Sequence, residues 1–180
     1  MPDSGLDLAA RAPAPEVERS RTHRWNDPLA AAAAGRRLGG LPWLEAIRDG
    51  RISPPPIAET LGFTLSEIEP GRAVFRFTPA EFHYNPFATV HGGVAATLID
   101  SATGCAVQSV CPEGHGFLTI ELKVNFVRPI TDRAGELSCE GRVVHAGSRI
   151  ATAEARLVDH AGKLYAHGSA TCMIFPVAAA

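Results

Sequence analysis

The chain has 180 residues, 46% of them hydrophobic and 20% charged, with a formal net charge of -2. That balance suits one globular domain with an appendage and offers no basic surface for nucleic acid or an anionic membrane. No apolar run approaches the roughly 20 residues needed to span a bilayer, and residues 1–20 lack an apolar signal core, so no membrane partner and a cytoplasmic location are expected.

Residues 1–24 mix Ala, Pro, Arg and Glu without periodicity and are expected to lack fixed structure. Asp27 and Pro28 then read as the cap and first position of a helix through Ala30 to Ala34, ended at Gly35 or at Gly39-Gly40. A second short helix is predicted over 41–50, where Leu44 and Ile47 share a face. Pro54-Pro55-Pro56 is a stiff spacer, and 57–62 reads as one more helical turn. The division predicted is an N-terminal extension over 1–56 and a main domain over 57–180.

From Phe63 the period becomes two. Residues 63–69 and 73–78 read as a hairpin about Pro70-Gly71, and 80–90 as a loop holding the turn pair Asn85-Pro86. A loop at 111–116 precedes the clearest alternation in the chain, a half-buried strand expected to turn Leu118, Ile120, Leu122, Val124 and Phe126 inward and Thr119, Glu121, Lys123 and Asn125 outward. Further strands are predicted over 136–145, 151–157 and 164–174, separated by turns at Ala146-Gly147 and 159–162.

Between the hairpin and the later strands lies one long helix, beginning at His91-Gly92-Gly93 and running to Val110. Its apolar residues keep to no single stripe, so it is expected to be buried nearly all round. It carries one acid, Asp100, which is costly there unless something pairs with it or uses it. A single apolar helix in so short a chain is most economically covered by a sheet curled around it, an α+β architecture.

The four cysteines form no CxxC pair and read as free thiols. His83, His115, His145, His160 and His167 read as loop or strand surface residues, and no metal site is predicted.

Asn85-Pro86-x-x-x-Val90-His91-Gly92-Gly93, followed by an acid nine positions after the His, resembles the hotdog-fold acyl-CoA thioesterases, specifically the PaaI-like (phenylacetic-acid-pathway type) branch. The run Leu118 to Pro129 and the segment His145-Ala146-Gly147-Ser148-Arg149 fit the same branch, so the likeness covers about residue 57 onward. The resemblance implies a hotdog fold, an antiparallel sheet wrapped around the long central helix. It also implies hydrolysis of an acyl-CoA with an aromatic or medium-chain acyl group, and a homodimer or dimer of dimers. No cofactor is expected, coenzyme A being part of the substrate.

The chemistry agrees with the motif. Gly92 and Gly93 stand where a loop becomes a helix, and the unsatisfied N–H groups there can cradle a carbonyl oxygen as it gains charge. Asp100 lies about two turns further on and cannot reach that carbonyl along its own helix. In the family the acid faces the partner's helix start. The resemblance thus makes Asp100 a general base or a direct nucleophile, Asn85 and His91 orienting groups, and Thr119 the hydroxyl that holds the water. It assigns Arg128, with Gly147, Ser148 and Arg149, to the phosphates of coenzyme A. Gly104 stands where some relatives carry Thr, so that position does not carry over. Simpler readings remain open: a tight helix entry at Gly92-Gly93, a buried polar anchor at Asp100, surface arginines. Phe82, Tyr84 and Phe87 could line the acyl pocket or the core. A non-catalytic acyl-CoA sensor and a hydratase or dehydratase on the same fold are the alternatives.

Overall fold

A computed structural model describes residues 17–177. Of the segment expected to lack fixed structure, residues 1–16 lie outside the described residues; residues 17–27 form neither helix nor strand. Asp27 caps helix α1 (Pro28–Leu38) by accepting from the Leu29 N–H at 2.9 Å, with Pro28 at the first position. Helix α1 runs past Gly35 because that glycine sits under the Trp43 ring of α2 (Gly40–Arg48), where a Cβ would collide with the indole. Gly40 in turn lies against Gln108, so these two helices dock on the far end of the central helix. A six-residue helix α3 (Pro56–Leu61) leads into the sheet.

The sheet comprises β1 (Phe63–Glu69), β2 (Arg72–Phe77), β3 (His115–Phe126), β4 (Leu137–Ala146), β5 (Ile150–Asp159) and β6 (Leu164–Pro176). All pairings are antiparallel, in the order β1-β2-β4-β5-β6-β3, which leaves β1 and β3 as edges. Helix α4 (Gly92–Gln108) lies against the sheet, burying Leu98, Ile99 and Ala102 against Phe77, Leu137 and Leu157. Each fully buried Leu or Ile is worth about 1.5–3 kcal/mol, and this contact is the core. Close approach needs a strand without a side chain: a Cβ on Gly141 of β4 would strike the Ala102 carbonyl of α4. The helix wrapped by an antiparallel sheet is the architecture expected from the sequence.

Two expectations change. First, α4 is not covered all round. Gly92, Gly93, Ala96, Thr97, Asp100 and Ser101 stay exposed or half-buried, and their spacing of three and four residues makes one stripe that the chain itself leaves open. Second, strand β3 presents most of its apolar residues outward, Phe117 and Val124 being the ones packed on the core. Leu118 and Ile120 are each 55% exposed and Phe126 59%, whereas Thr119 turns toward α4. Alternation identified two faces, but which face the molecule covers depends on tertiary contact.

Candidate active site at the open stripe of the central helix

His91 sets the start of α4. Its Nδ1 accepts from the Gly93 N–H at 2.9 Å, the bond that an N-capping side chain makes. That occupies one of the two amides read as the carbonyl cradle. The Gly92 N–H has no hydrogen-bond partner among the described residues, so it is the open donor at this helix end. Phe126 lies over Gly92, where a Cβ would come 3.1 Å from the ring.

Eight residues on, about 12 Å along the axis at 1.5 Å per residue, Asp100 lies on the same open stripe. Thr119 donates its hydroxyl to Asp100 Oδ1 at 2.8 Å, which fixes the carboxylate. One turn further, Gly104 makes room for the Phe117 ring, 2.6 Å from where a Cβ would stand. Beside this pair, burial and the Asp100 charge push the Cys105 thiol up to about 12, so no thiolate nucleophile is available there. The four cysteines are free thiols.

Asn85 does not aim at this stripe. Its Oδ1 accepts from the Phe87 N–H at 2.9 Å and from the Thr89 N–H and hydroxyl at 3.3 and 3.2 Å, tying its own loop into a turn. The loop is anchored below by His83, which is buried (4% exposed) rather than at the surface. Its Nδ1 accepts from the Ala80 N–H, its Nε2 reaches the Leu61 carbonyl at 2.8 Å, and its own carbonyl accepts from the His91 N–H. Burial holds the imidazole below its usual pKa, with the nearby Arg21 charge adding to the effect.

The phosphate candidates fall into two places within one chain. Arg128 donates to the Leu164 carbonyl at 2.6 Å, at the start of β6. Gly147, Ser148 and Arg149 form the β4–β5 turn, where the Arg149 carbonyl accepts from Ile174 near the end of β6. Ten strand residues separate these places, about 33 Å.

Sequence reasoning missed the closeness of Phe126 to Gly92, the burial of His83 and a groove beside the helix start. That groove, about 540 Å³, is lined by Phe82 and Tyr84 together with Arg21, His23, His91, Gly93 and Thr97. Phe87 is 73% exposed and not part of it. A weak signal existed, since Phe82 and Tyr84 precede the motif; residues 17–24 offered none. No helix among the described residues is long and apolar enough to cross a membrane.

A sheet wrapped on one helix, with an amide-bearing glycine start and an acid two turns on, defines a hotdog domain of the thioesterase type. The profile of the Thioesterase superfamily matches residues 87–166. Human acyl-coenzyme A thioesterase 13 is 30% identical over 111 residues, covering 60% of this chain and 76% of that protein. A Halobacterium salinarum protein that carries only a provisional esterase name is 43% identical over 74 residues, 40% of this chain and 47% of its own length. The solved structure of a phenylacetic acid degradation-related protein from Ralstonia eutropha superimposes with a TM-score of 0.66 at 26% identity, over 72% of this chain and 98% of that one. The chain belongs to the thioesterase superfamily, and its class of activity is thioester hydrolysis.

Proposed function

We propose that this chain hydrolyses an acyl-CoA thioester, with an aromatic or medium-chain acyl group, at a site made by two copies of the chain. The observation that carries the proposal is the placement of Gly92 and Asp100 on one open stripe, about 12 Å apart. A second copy packed antiparallel on that stripe would set its Asp100 against this chain's Gly92, and the reverse. Edge strand β3 supports such pairing, because Leu118, Ile120 and Phe126 make an exposed apolar edge that a lone copy would leave open to aggregation.

In this site the Gly92 N–H donates to the thioester oxygen. Asp100 of the other copy, held by its Thr119, takes a proton from water as the water attacks the carbonyl carbon. The C–S bond then breaks and the coenzyme A sulfur leaves, receiving a proton. A preorganised donor at the oxygen is worth about 3 kcal/mol of barrier. Direct attack by the carboxylate, giving an anhydride that water opens, uses the same groups. Arg128 and the Gly147–Arg149 turn lie far apart in one chain, so Arg128 of one copy and that turn of the other are assigned to the same coenzyme A. Guanidinium groups there suit the phosphates of coenzyme A. No cofactor is required, and the setting proposed is the cytoplasm.

The test is release of free coenzyme A from a panel of acyl-CoA esters by wild type and Asp100→Asn. Hydrolysis that falls at least 100-fold in the variant supports the proposal. Hydrolysis surviving within a few-fold removes Asp100 from the reaction, and saturable binding without hydrolysis makes the protein a sensor.

A further inference from the structure

We infer that the pocket between the N-terminal helices and the far end of the sheet is a second binding site, separate from the proposed thioesterase site, for a small aromatic carboxylate of one ring.

The pocket lies where α1 and α2 dock on the end of α4. Its volume is about 230 Å³, and its walls include the Trp43 ring of α2, Phe117 near the start of β3 and Phe175 near the end of β6. An apolar cavity of about 150 Å³ is enough for benzene, so one ring with a short substituent fits here. Aromatic walls favour an aromatic occupant, because ring pairs gain from edge and offset contacts beyond the area they bury. Gly92 and Gln108 are the two ends of α4, about 24 Å apart at 1.5 Å per residue, so the occupant stays clear of the helix start.

The polar end of the ligand follows from Gln108. That residue is 5% exposed, lines the pocket, and its side-chain amide bonds no described residue. The Trp43 indole N–H is sealed from solvent, so Trp43 offers a ligand only its ring; the Gln108 amide is not sealed, and a group in the pocket can reach it. Nearly all polar groups buried to this degree have a partner, and an oxygen accepting from the Gln108 amide N–H would supply one. Arg36 also lines the pocket; it is exposed and has no ion-pair or hydrogen-bond partner among the described residues. Among the described residues no acid lines the pocket, its titratable side chains being Arg36 and His115. A carboxylate on the ring therefore meets an amide donor and a guanidinium with no opposing charge.

The experiment is titration calorimetry on the full chain with benzoate and phenylacetate, and with benzyl alcohol and hexanoate, which lack the carboxylate or the ring. At least one of the two acids should bind wild type with a Kd between about 10 μM and 1 mM, and the other two probes about tenfold or more weakly. Gln108→Leu, close in size, should weaken the acid about tenfold or more. Arg36→Gln, at an exposed position where the fold is not at risk, should do the same. Thermal melts confirm that both variants are folded, and the Arg36 variant decides alone if the other is not. Absence of binding by either acid below about 10 mM, binding that a folded variant retains, or equal binding of benzyl alcohol or hexanoate overturns the inference. No ester is present, so each of these outcomes leaves the thioesterase reading standing.

Discussion

The Thr119 hydroxyl donates to Asp100 Oδ1 at 2.8 Å, joining the edge strand to the one acid of the central helix. A carboxylate free to rotate would spend little time facing a substrate on another chain; this bond selects its orientation. Hydrogen bonds to charged groups contribute about 1.5–3 kcal/mol. Thr119→Val is therefore expected to lower kcat by about tenfold or more with little change in KM, and Thr119→Ser to recover most of the loss. Steady-state kinetics on one good acyl-CoA ester check this. Equal activity in the Val variant would separate the bond from catalysis.

His91 acts first on the helix. Its Nδ1 bond to the Gly93 N–H is an N-cap, and loss of a cap costs about 0.5–2 kcal/mol. His91→Ala should lower Tm by a few degrees, at about 2–4 °C per kcal/mol for a chain of this size, and His91→Ser should restore part of it. If His91 were instead the base, the Ala variant would abolish turnover at unchanged Tm. Thermal melts alongside kinetics distinguish the two.

His83 supplies a pH dependence whose sign follows from its environment. Burial lowers its pKa in the folded chain, so the unfolded chain takes up protons first as pH falls below about 6.5. The stabilisation from the neutral ring is complete above that value and is lost as pH drops toward the lower folded value. Protonation would also abolish the acceptor at Nδ1 that the Ala80 N–H uses. Urea midpoints at pH 7.5 and 5.5 should fall more for wild type than for His83→Gln. Parallel falls would contradict the assignment.

The exposed edge of β3 makes a solution prediction. Ile120 is 55% exposed, and surface substitutions at such positions normally change monomer stability by less than about 0.5 kcal/mol. Ile120→Lys should leave the fold intact by circular dichroism, yet shift sedimentation toward the monomer and remove most activity. A fully active monomer, variant or wild type, would overturn the two-copy site.

Much of this was legible in the sequence, for identifiable reasons. The hairpin about Pro70-Gly71, the long helix with Asp100 and the four later strands were all written in local periodicity, and the structure has them within a few residues. Periodicity is silent on which face is covered. Hence β3 was read with Leu118 and Ile120 inward, although Thr119 is the residue that turns to the helix. Likewise Arg21 reaches carbonyls nearly forty residues away, a long-range bond that no local pattern in residues 17–24 announces. His83 looked like a loop surface residue because its two partners, at Ala80 and Leu61, are backbone atoms and leave no sequence mark.

The central claim is that Gly92 and Asp100 act together from different chains, and mixing two inactive variants tests it. Asp100→Asn removes the acid. Gly92→Pro removes the open N–H at a first-turn position where proline fits, after a residue at φ -58°, ψ 134° that already suits a following proline. Each variant alone should have little activity. If they are unfolded and refolded together, half of the dimers pair unlike chains, and each of these has one intact site and one doubly damaged site. About a quarter of wild-type activity should return, as a symmetric two-site dimer requires. No recovery beyond the sum of the separate variants, with mixed dimers demonstrably formed, would contradict the shared site.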